Sequence, residues 1–228
     1  MINKLDPKDN WLLQRFSNFT SSVNYKLLKA GDKGELFSAG GRTYIQEKAV
    51  ETMTDLQEKP EMEYVESLIH GNAQEYMSFQ AYVQASRNIN MRFFGGENPV
   101  YLKRNEYSGG SPDGLMGEGE VIHLGLELKN PKNPNNHFKY LKFNDQWDLK
   151  QHRIEYYTQV QDLISITGAK AFHWVSYCDL FKDPKLKIKI IEVLPDQKFI
   201  DNLEIRIAMA QKEKLKIIES LNSQPCFL

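Results

Sequence analysis

The chain has 228 residues, of which 41% are apolar, enough for one well-packed domain. Its 29 Lys and Arg residues balance 30 Asp and Glu residues, and the net charge of −1 excludes a uniformly basic nucleic-acid coat protein. The two cysteines, Cys178 and Cys226, are far apart and lack nearby Cys or His partners, which excludes a disulfide framework, a zinc site and an iron–sulfur cluster.

The first half of the chain has the apolar spacing of helices. Segments 42–54 and 61–85 both repeat apolar residues at helical intervals, and Pro60 stands where the second helix would begin. The N-terminus lacks a basic-then-apolar leader, and no window reaches the roughly 18 apolar residues of a membrane span, so we expect a cytoplasmic protein without a membrane partner. With no repeat or long linker, residues 1–228 are predicted to form a single domain with a helical region over about 1–90.

Strands dominate the pattern from Pro99 onward. Short β-type runs at 99–104 and 107–110 precede a turn at 117–120 and a longer strand at 121–129, and a loop rich in Pro, Asn and Lys follows. Next come a helix at 148–167, strands at 170–178 and 185–194, and a highly charged outer helix at 196–222. This order predicts an α/β (α+β) fold whose sheet core spans about 91–195, with a central mixed β-sheet flanked by helices.

The stretch 107–131 contains a candidate catalytic site. Asp113 and Glu127 are separated by thirteen residues with a reversal between them, so a hairpin can bring both carboxylates to one end of adjacent strands. Such oxygens suit Mg²⁺ or Mn²⁺, and the backbone carbonyl of Leu128 is a further candidate ligand. Lys129 shares a strand face with Glu127 and could help an attacking water or offset charge on a phosphate. The alternative is a solvent-exposed Glu127–Lys129 pair worth at most about 1 kcal/mol.

Two polar side chains fall on or beside apolar helix stripes. Glu75 lies within the stripe of the helix at 61–85, where a carboxylate needs a metal or a basic partner. The other stripe members are Tyr64, Val65, Leu68, Phe79, Tyr82 and Val83. A structural Glu75 bonded to Tyr or Lys, or a helix broken at Gly71, would explain the position equally. Gln159 borders the stripe of the helix at 148–167, either beside the site or as an ordinary boundary residue.

Four motifs occur together in one order: HGNAQE at 70–75, SPDGL at 111–115, LELKNP at 126–131 and YYTQVQ at 156–161. On these motifs the chain resembles the phage lambda-type exonuclease and YqaJ viral recombinase family of the PD-(D/E)XK nuclease superfamily. The resemblance covers roughly residues 68–163 and implies a restriction-endonuclease-like core. It also implies that Asp113, Glu127 and Glu75 are metal ligands, that Lys129 is the catalytic lysine and that Gln159 lies beside the active site.

The same resemblance implies a reaction and its partners. Members of this family resect double-stranded DNA from 5′ ends as ring-shaped trimers and pass the single strand to an annealing recombinase. We therefore expect a Mg²⁺-dependent 5′→3′ DNA exonuclease, with Mn²⁺ as a possible substitute, two ions per site and phosphodiester hydrolysis by metal-activated water.

The resemblance and the lysine distribution also give candidate DNA contacts. Lys132, Lys139 and Lys142 are candidates for phosphate contacts, and Ser111 in the Ser-Pro-Asp-Gly motif is a further candidate. Ser38 and Arg42 are candidates for the 5′ phosphate. The segment around them, SAGGRTYIQEKA, departs from the Thr-Ala-Ser sequence that lambda-type enzymes use near that phosphate.

Two other functions are compatible with the sequence. One is an endonuclease of the same superfamily, of the restriction or repair type, which would cut closed circular DNA that an end-dependent exonuclease leaves intact. A Cas4-like version is excluded because two cysteines cannot hold its four-cysteine cluster. The other is a non-catalytic DNA-binding module that retains the fold, for which loss of the acidic residues would be the expected signature.

Overall fold

The computed structural model describes residues 7–54, 66–96 and 98–223. Its α-helices are α1 (Pro7–Arg15), α2 (Ala39–Met53), α3 (Glu66–Ser86), α4 (Pro134–Leu141), α5 (Gln146–His152), α6 (Ile154–Thr167) and α7 (Gln197–Asn222). Its strands are β1 (Phe19–Thr20), β2 (Arg92–Phe93), β3 (Leu102–Asn105), β4 (Ser108–Gly110), β5 (Gly114–Glu118), β6 (Val121–Lys129), β7 (Ala171–Tyr177) and β8 (Ile188–Val193). No helix in these ranges is both long and apolar enough to cross a bilayer.

Five strands form the central sheet in the order β2-β5-β6-β7-β8. The sheet is mixed: β6 pairs antiparallel with β5 and parallel with β7, while β7 pairs antiparallel with β8. A smaller three-stranded sheet has the order β1-β4-β3. The predicted mixed sheet flanked by helices is confirmed, and the chain adds this second sheet to it.

The alternating side chains of β6 divide the central sheet into two faces. Leu124, Leu126 and Leu128 pack in one apolar cluster with Tyr82 of α3. On the opposite face α6 packs through its apolar stripe against β7 and β8, including Trp174. Glu127 and Lys129, which alternate with these leucines, therefore belong to the face that α6 covers.

A close contact between strands β6 and β7 on that second face requires a glycine in β6. A Cβ added at Gly125 would lie 2.1 Å from the ring of Phe172 on β7, closer than any real side-chain contact. Gly125 therefore lets the ring of Phe172 lie flat on the sheet beneath α6.

A third apolar cluster joins the N- and C-terminal helices. Phe19, Tyr44 and Ile45 from the first quarter of the chain pack against Leu203 and Ile207 of α7. The prediction that this last helix lies outside the core is therefore wrong for one of its faces. Most of its charged residues occupy the opposite, exposed face, which is the usual division of an amphipathic helix. Lys214 is the exception among them, since it is buried and donates to the Ser17 carbonyl.

Several predicted elements match the structure closely. The helix expected at 42–54 is α2, and the strands expected at 121–129 and 170–178 are β6 and β7. The helix expected at 61–85 is α3, although residues 61–65, with Tyr64 and Val65 of the stripe, lie outside the described part of the chain. Phe79, Tyr82 and Val83 do pack together against the sheet.

The single helix predicted at 148–167 is wrong. The chain forms α5 and α6 instead, with Arg153 between them in a non-helical conformation (φ −144°, ψ 63°). This break places the Arg153 guanidinium over the rings of Tyr140 and Tyr156, at 5.3 and 4.6 Å from their centroids.

The loop predicted after residue 129 is also wrong in part, because α4 lies within it. The Asn133 side chain accepts a hydrogen bond from the Asn135 backbone N–H at 2.9 Å, and Pro134 occupies the first helical position. His137 and Tyr140 then bury one side of the helix. The Pro and Asn residues typical of a loop here form the start of a helix.

Candidate active site

The hairpin of β5 and β6 places Asp113 beside Glu127. Gly114 is the register partner of Leu126, so Asp113 stands one residue before β5 at the end of β6 that carries Glu127. The Asp113 backbone N–H donates to the Leu126 carbonyl at 3.0 Å, and its Oδ2 accepts the Leu128 backbone N–H at 2.6 Å. Both bonds fix the Asp113 carboxylate against the neighbouring strand, as the hairpin hypothesis required.

Glu127, Lys129 and Gln159 form one hydrogen-bonded group. Lys129 Nζ donates to Glu127 Oε1 at 2.5 Å and to Gln159 Oε1 at 3.1 Å, while Gln159 Nε2 donates to Glu127 Oε1 at 2.7 Å. Glu127 is only 2% exposed, so the alternative of a solvated surface pair is wrong. Gln159 is also buried, which places α6 directly over the face of β6 that carries Glu127 and Lys129.

The electrostatics of the group show an excess of buried negative charge. Burial raises the pKa of Asp113 well above its ordinary value, the carboxylates of Glu127 and Glu75 raise it further, and Lys129 opposes them. Burial also raises the pKa of Glu127 against the opposing effect of Lys129. Burial alone would lower the pKa of Lys129, but Glu127 and Asp113 outweigh it and the pKa is raised. The positive charge of Lys129 does not fully compensate the negative charge of the carboxylates. A second cation bound beside them would compensate the rest.

Glu75 meets the site from α3. Its Oε2 accepts the backbone N–H of Gly96 at 2.8 Å, and it lies near enough to raise the pKa values of Asp113 and Glu127. Helix α3 continues through Gly71, so the alternative of a helix broken there is wrong. A Cβ at Gly95 would lie 2.6 Å from Glu75 Oε2, so glycine there leaves room for the carboxylate.

A divalent cation fits the pair Asp113 and Glu127. In the ranges that the structure describes, no three His, Cys, Asp or Glu side chains converge tightly enough to enclose an ion by themselves. Mg²⁺ does not require such a cage, because it keeps several waters and binds through one or two carboxylates. Glu127 Oε2 is buried without a hydrogen-bond partner, as an oxygen reserved for a cation would be. Ligation by Glu75 and by the Leu128 carbonyl remains a prediction.

Sequence reasoning missed Trp11, Arg15 and Ser22, which join the predicted candidate Ser111 in a second group beside the site. Arg15 Nη1 donates to Ser111 Oγ at 3.3 Å and Nη2 to Ser22 Oγ at 3.5 Å, while Trp11 Nε1 donates to Ser111 Oγ at 2.8 Å. The Trp11 ring lies 4.4 Å from the Arg15 guanidinium, and Arg15 interacts electrostatically with Glu127. One cation and two hydroxyls thus converge two residues before Asp113, a set suited to a phosphate group.

The model of the YqaJ-like viral recombinase domain matches residues 10–170 of the chain. The matched range is more than half of the sequence and contains every residue of the site described above. The chain belongs to the YqaJ-like family. No curated protein sequence matches it significantly.

Solved structures share the fold of this YqaJ-like protein over nearly its whole length. An alkaline exonuclease, LHK-Exo from Laribacter hongkongensis, aligns with a TM-score of 0.75 and 20% identity, covering 94% of this chain and 96% of that one. The same enzyme in complex with dAMP aligns with a TM-score of 0.74 and 22% identity, covering 93% of this chain and 95% of that one. A phage related exonuclease from Haemophilus somnus 129PT aligns with a TM-score of 0.67 and 14% identity, covering 90% of this chain and 96% of that one. These likenesses establish the PD-(D/E)XK nuclease fold that the motifs predicted.

The other DNA-binding candidates of this YqaJ-like chain lie in two places. Ser38 caps α2 by accepting the Gly41 backbone N–H at 3.4 Å, and Arg42 forms an ion pair with Glu35. Arg42 also donates to the Phe37 carbonyl at 3.0 Å, so both candidates help to hold the start of α2.

The three lysines lie beyond β6. Lys132 stands just before α4, Lys139 is exposed within that helix and Lys142 follows its last residue. Contact of these side chains with DNA remains a prediction.

Proposed function

We propose that the protein is a divalent-metal-dependent deoxyribonuclease that degrades one strand of duplex DNA from a 5′ end. The observation that carries this proposal is the meeting of four side chains at the end of β6: Glu127, Lys129 and Gln159 bond one another, and Asp113 is bonded to the same strand at Leu128. Membership of the YqaJ-like family supports it, as do the exonucleases that share its fold.

Asp113 and Glu127 are the residues proposed to hold Mg²⁺, with Mn²⁺ as a substitute. Glu75 and the Leu128 carbonyl are proposed to complete a site for two ions. When bound, such ions supply positive charge at the scissile phosphate and a water that loses its proton near neutral pH. The buried excess of negative charge at Asp113 and Glu127 gives the affinity for them.

Lys129 and Gln159 act on the reacting phosphate through charge and position. Because the pKa of Lys129 is raised, its amine is protonated at neutral pH and faces the site as a cation. Such a cation stabilises negative charge that develops on the phosphate oxygens in the transition state. Gln159 holds both Lys129 and Glu127, so it fixes the distance between the cation and the carboxylate.

The group of Arg15, Ser22 and Ser111 supports action at a strand end. Its guanidinium and hydroxyls can bind a terminal 5′ phosphate by charge-assisted hydrogen bonds, two residues from Asp113. A phosphate held there places the first phosphodiester bond beside the carboxylates, which selects the 5′ end. The homotrimer and the annealing recombinase partner implied by the resemblance remain predictions.

One digestion experiment tests the proposal against both alternatives. Linear duplexes carrying a 5′ phosphate or a 5′ hydroxyl, labelled at each end, are incubated with Mg²⁺ beside a covalently closed circle. We expect nucleotides to be released from 5′-phosphorylated ends, more slowly from hydroxyl ends, and the circle to stay intact. Glu127→Gln serves as the inactive control, and Arg15→Gln should reduce the preference for the 5′ phosphate.

Each contrary result has a distinct meaning. Cutting of the closed circle would identify an endonuclease and overturn the exonuclease proposal. Digestion that begins at the 3′ label would overturn the polarity and the role given to Arg15. Absence of cleavage with either metal, from protein that still binds duplex, would identify a non-catalytic module.

A further inference from the structure

Helix α4 exposes a stripe that combines an aromatic ring with lysines. Asn135, Phe138, Lys139 and Lys142 are all exposed, and their spacing of three, one and three residues puts them on one helix face. Phe138 is 51% exposed, and the Lys142 ammonium lies 4.7 Å from its ring centroid. The helix contains no acidic residue, so the stripe is positive as well as aromatic.

The opposite side of α4 is firmly held. His137 is completely buried, with Nε2 2.8 Å from the Leu186 carbonyl and Nδ1 2.8 Å from Ser176 Oγ. A carbonyl oxygen only accepts, so Nε2 carries the proton, and the neutral ring then accepts the Ser176 hydroxyl at Nδ1. Tyr140, also buried, packs edge-on against Trp174 with the centroids 5.4 Å apart. The exposed stripe is therefore a fixed surface of the fold.

His137 also unites the two lysine-rich segments of the sequence. Its ring contacts Phe181, with centroids 5.2 Å apart, and its Nε2 bonds the Leu186 carbonyl, so α4 lies against the connection between β7 and β8. That connection carries the exposed residues Lys182 and Lys185. It also carries two acidic residues, Asp179 and Asp183, and Asp183 accepts the Lys185 backbone N–H and so caps the short helix there.

Helix α4 lies at the end of the central sheet that carries Lys129. Ser176, which bonds His137, is the register partner of Lys129 across β6 and β7. We name the exposed set Phe138, Lys139 and Lys142 the α4 platform.

We propose that the α4 platform binds single-stranded DNA, with the Phe138 ring stacked on an unpaired base and the lysines on flanking phosphates. This inference rests on the proposed function, whose product is a single strand. A phenyl ring has no hydrogen-bonding group with which to read a duplex, and duplex bases already stack on one another. An exposed ring surrounded by cations instead has the chemistry of a single-strand stacking site.

The test is a binding measurement in which cleavage plays no part. Full-length protein in EDTA is titrated against a fluorescent oligothymidylate of about 15 nucleotides and a duplex of equal length, and anisotropy gives both affinities. We expect Phe138→Ala to weaken single-strand binding about tenfold or more, the usual effect of losing one stacked base. Duplex affinity should change less than twofold.

Three variants sharpen the comparison. Phe138→Trp should retain single-strand affinity because a larger ring still stacks. Lys142→Ala should reduce the slope of log affinity against log salt concentration by about the contribution of one phosphate contact. Ile205→Ala, which removes a 55% exposed apolar side chain from α7, is the matched control and should bind like wild type.

Other results would overturn the platform. An equal loss on single strand and duplex would make Phe138 part of a duplex surface, and no loss on either would show that the ring is not used. Thermal unfolding checks that Phe138→Ala folds, since replacing an exposed side chain should leave Tm nearly unchanged. Absence of nuclease activity in the wild type would refute the proposed function separately, because these affinities are measured without cleavage.

Discussion

Replacing Asp113 with asparagine should stabilise the cation-free protein while removing most of its nuclease activity. The asparagine oxygen can still accept the Leu128 backbone N–H that Asp113 Oδ2 accepts at 2.6 Å, so no buried donor loses its partner. The change removes the negative charge that lies, buried, beside Glu127 and Glu75. Lys129 stays bonded to Glu127 and Gln159, so the remaining group is intact.

The expected gain is about 1–3 kcal/mol in the free energy of unfolding, the usual cost of a buried polar group that is not fully compensated. For a chain of this length, each 1 kcal/mol raises Tm by about 2–4 °C. The loss of the proposed metal ligand should lower the cleavage rate at least about a hundredfold, because several kcal/mol of transition-state stabilisation disappear. Stability and activity therefore move in opposite directions.

The pH dependence gives the sharper test. Burial raises the folded-state pKa of Asp113 above the unfolded value of about 3.9. The acid form is thus favoured by folding, so this contribution to stability is complete at low pH and is lost as pH rises through the folded pKa. The difference in Tm between Asp113→Asn and wild type should be largest at neutral pH and should close toward about pH 4.

Thermal unfolding in EDTA, followed by circular dichroism across this pH range, measures the difference directly. Addition of Mg²⁺ should raise the Tm of wild type more than that of the variant, since the ion stabilises the form that binds it. A variant that melts below wild type at neutral pH, or a difference that does not vary with pH, would refute the account of buried charge at this site.

Three further substitutions test other parts of the site. Gln159→Ala should lower kcat on linear duplex about ten- to a hundredfold, because the residue fixes the Glu127 carboxylate and the Lys129 ammonium; an unchanged kcat would remove it from the proposed site. Glu75→Gln can still accept the Gly96 N–H, so the fold should survive while cleavage falls; full turnover with a higher Tm would make Glu75 a structural carboxylate. His137→Leu should cost about 1–3 kcal/mol in urea unfolding, since the Leu186 carbonyl and Ser176 hydroxyl lose a partner. Burial lowers the pKa of His137, so its neutral form stabilises the protein above about pH 6.5 and the difference from wild type should shrink below it; a pH-independent difference would contradict this reasoning.

The core of the site could be predicted because its geometry is local. Strand alternation places Glu127 and Lys129 on one face, and a short glycine-rich reversal returns Asp113 to the same end of the neighbouring strand. Long periodic segments such as α2 and β6 were predictable for the same reason. Each depends on residues that are neighbours along the chain.

The predictions failed where a distant contact decided the local conformation. Arg153 ends a helix that periodicity alone would continue, because its guanidinium stacks on Tyr140 and Tyr156. The Pro and Asn residues after β6 suit a loop equally well, and burial of His137 and Tyr140 against β7 favours the helix. Neither choice can be made from a window of neighbouring residues.

By itself the sequence determined the chemical identity of the site: two carboxylates and a lysine, at a spacing that a hairpin converts into proximity. Tertiary structure decided what surrounds them. Gln159 reaches Glu127 across 32 residues, Arg15 reaches Ser111 across 96, and His137 reaches Ser176 across 39. These contacts form only when separate elements pack, because side chains far apart in the chain meet through the burial of apolar surface and leave no local pattern.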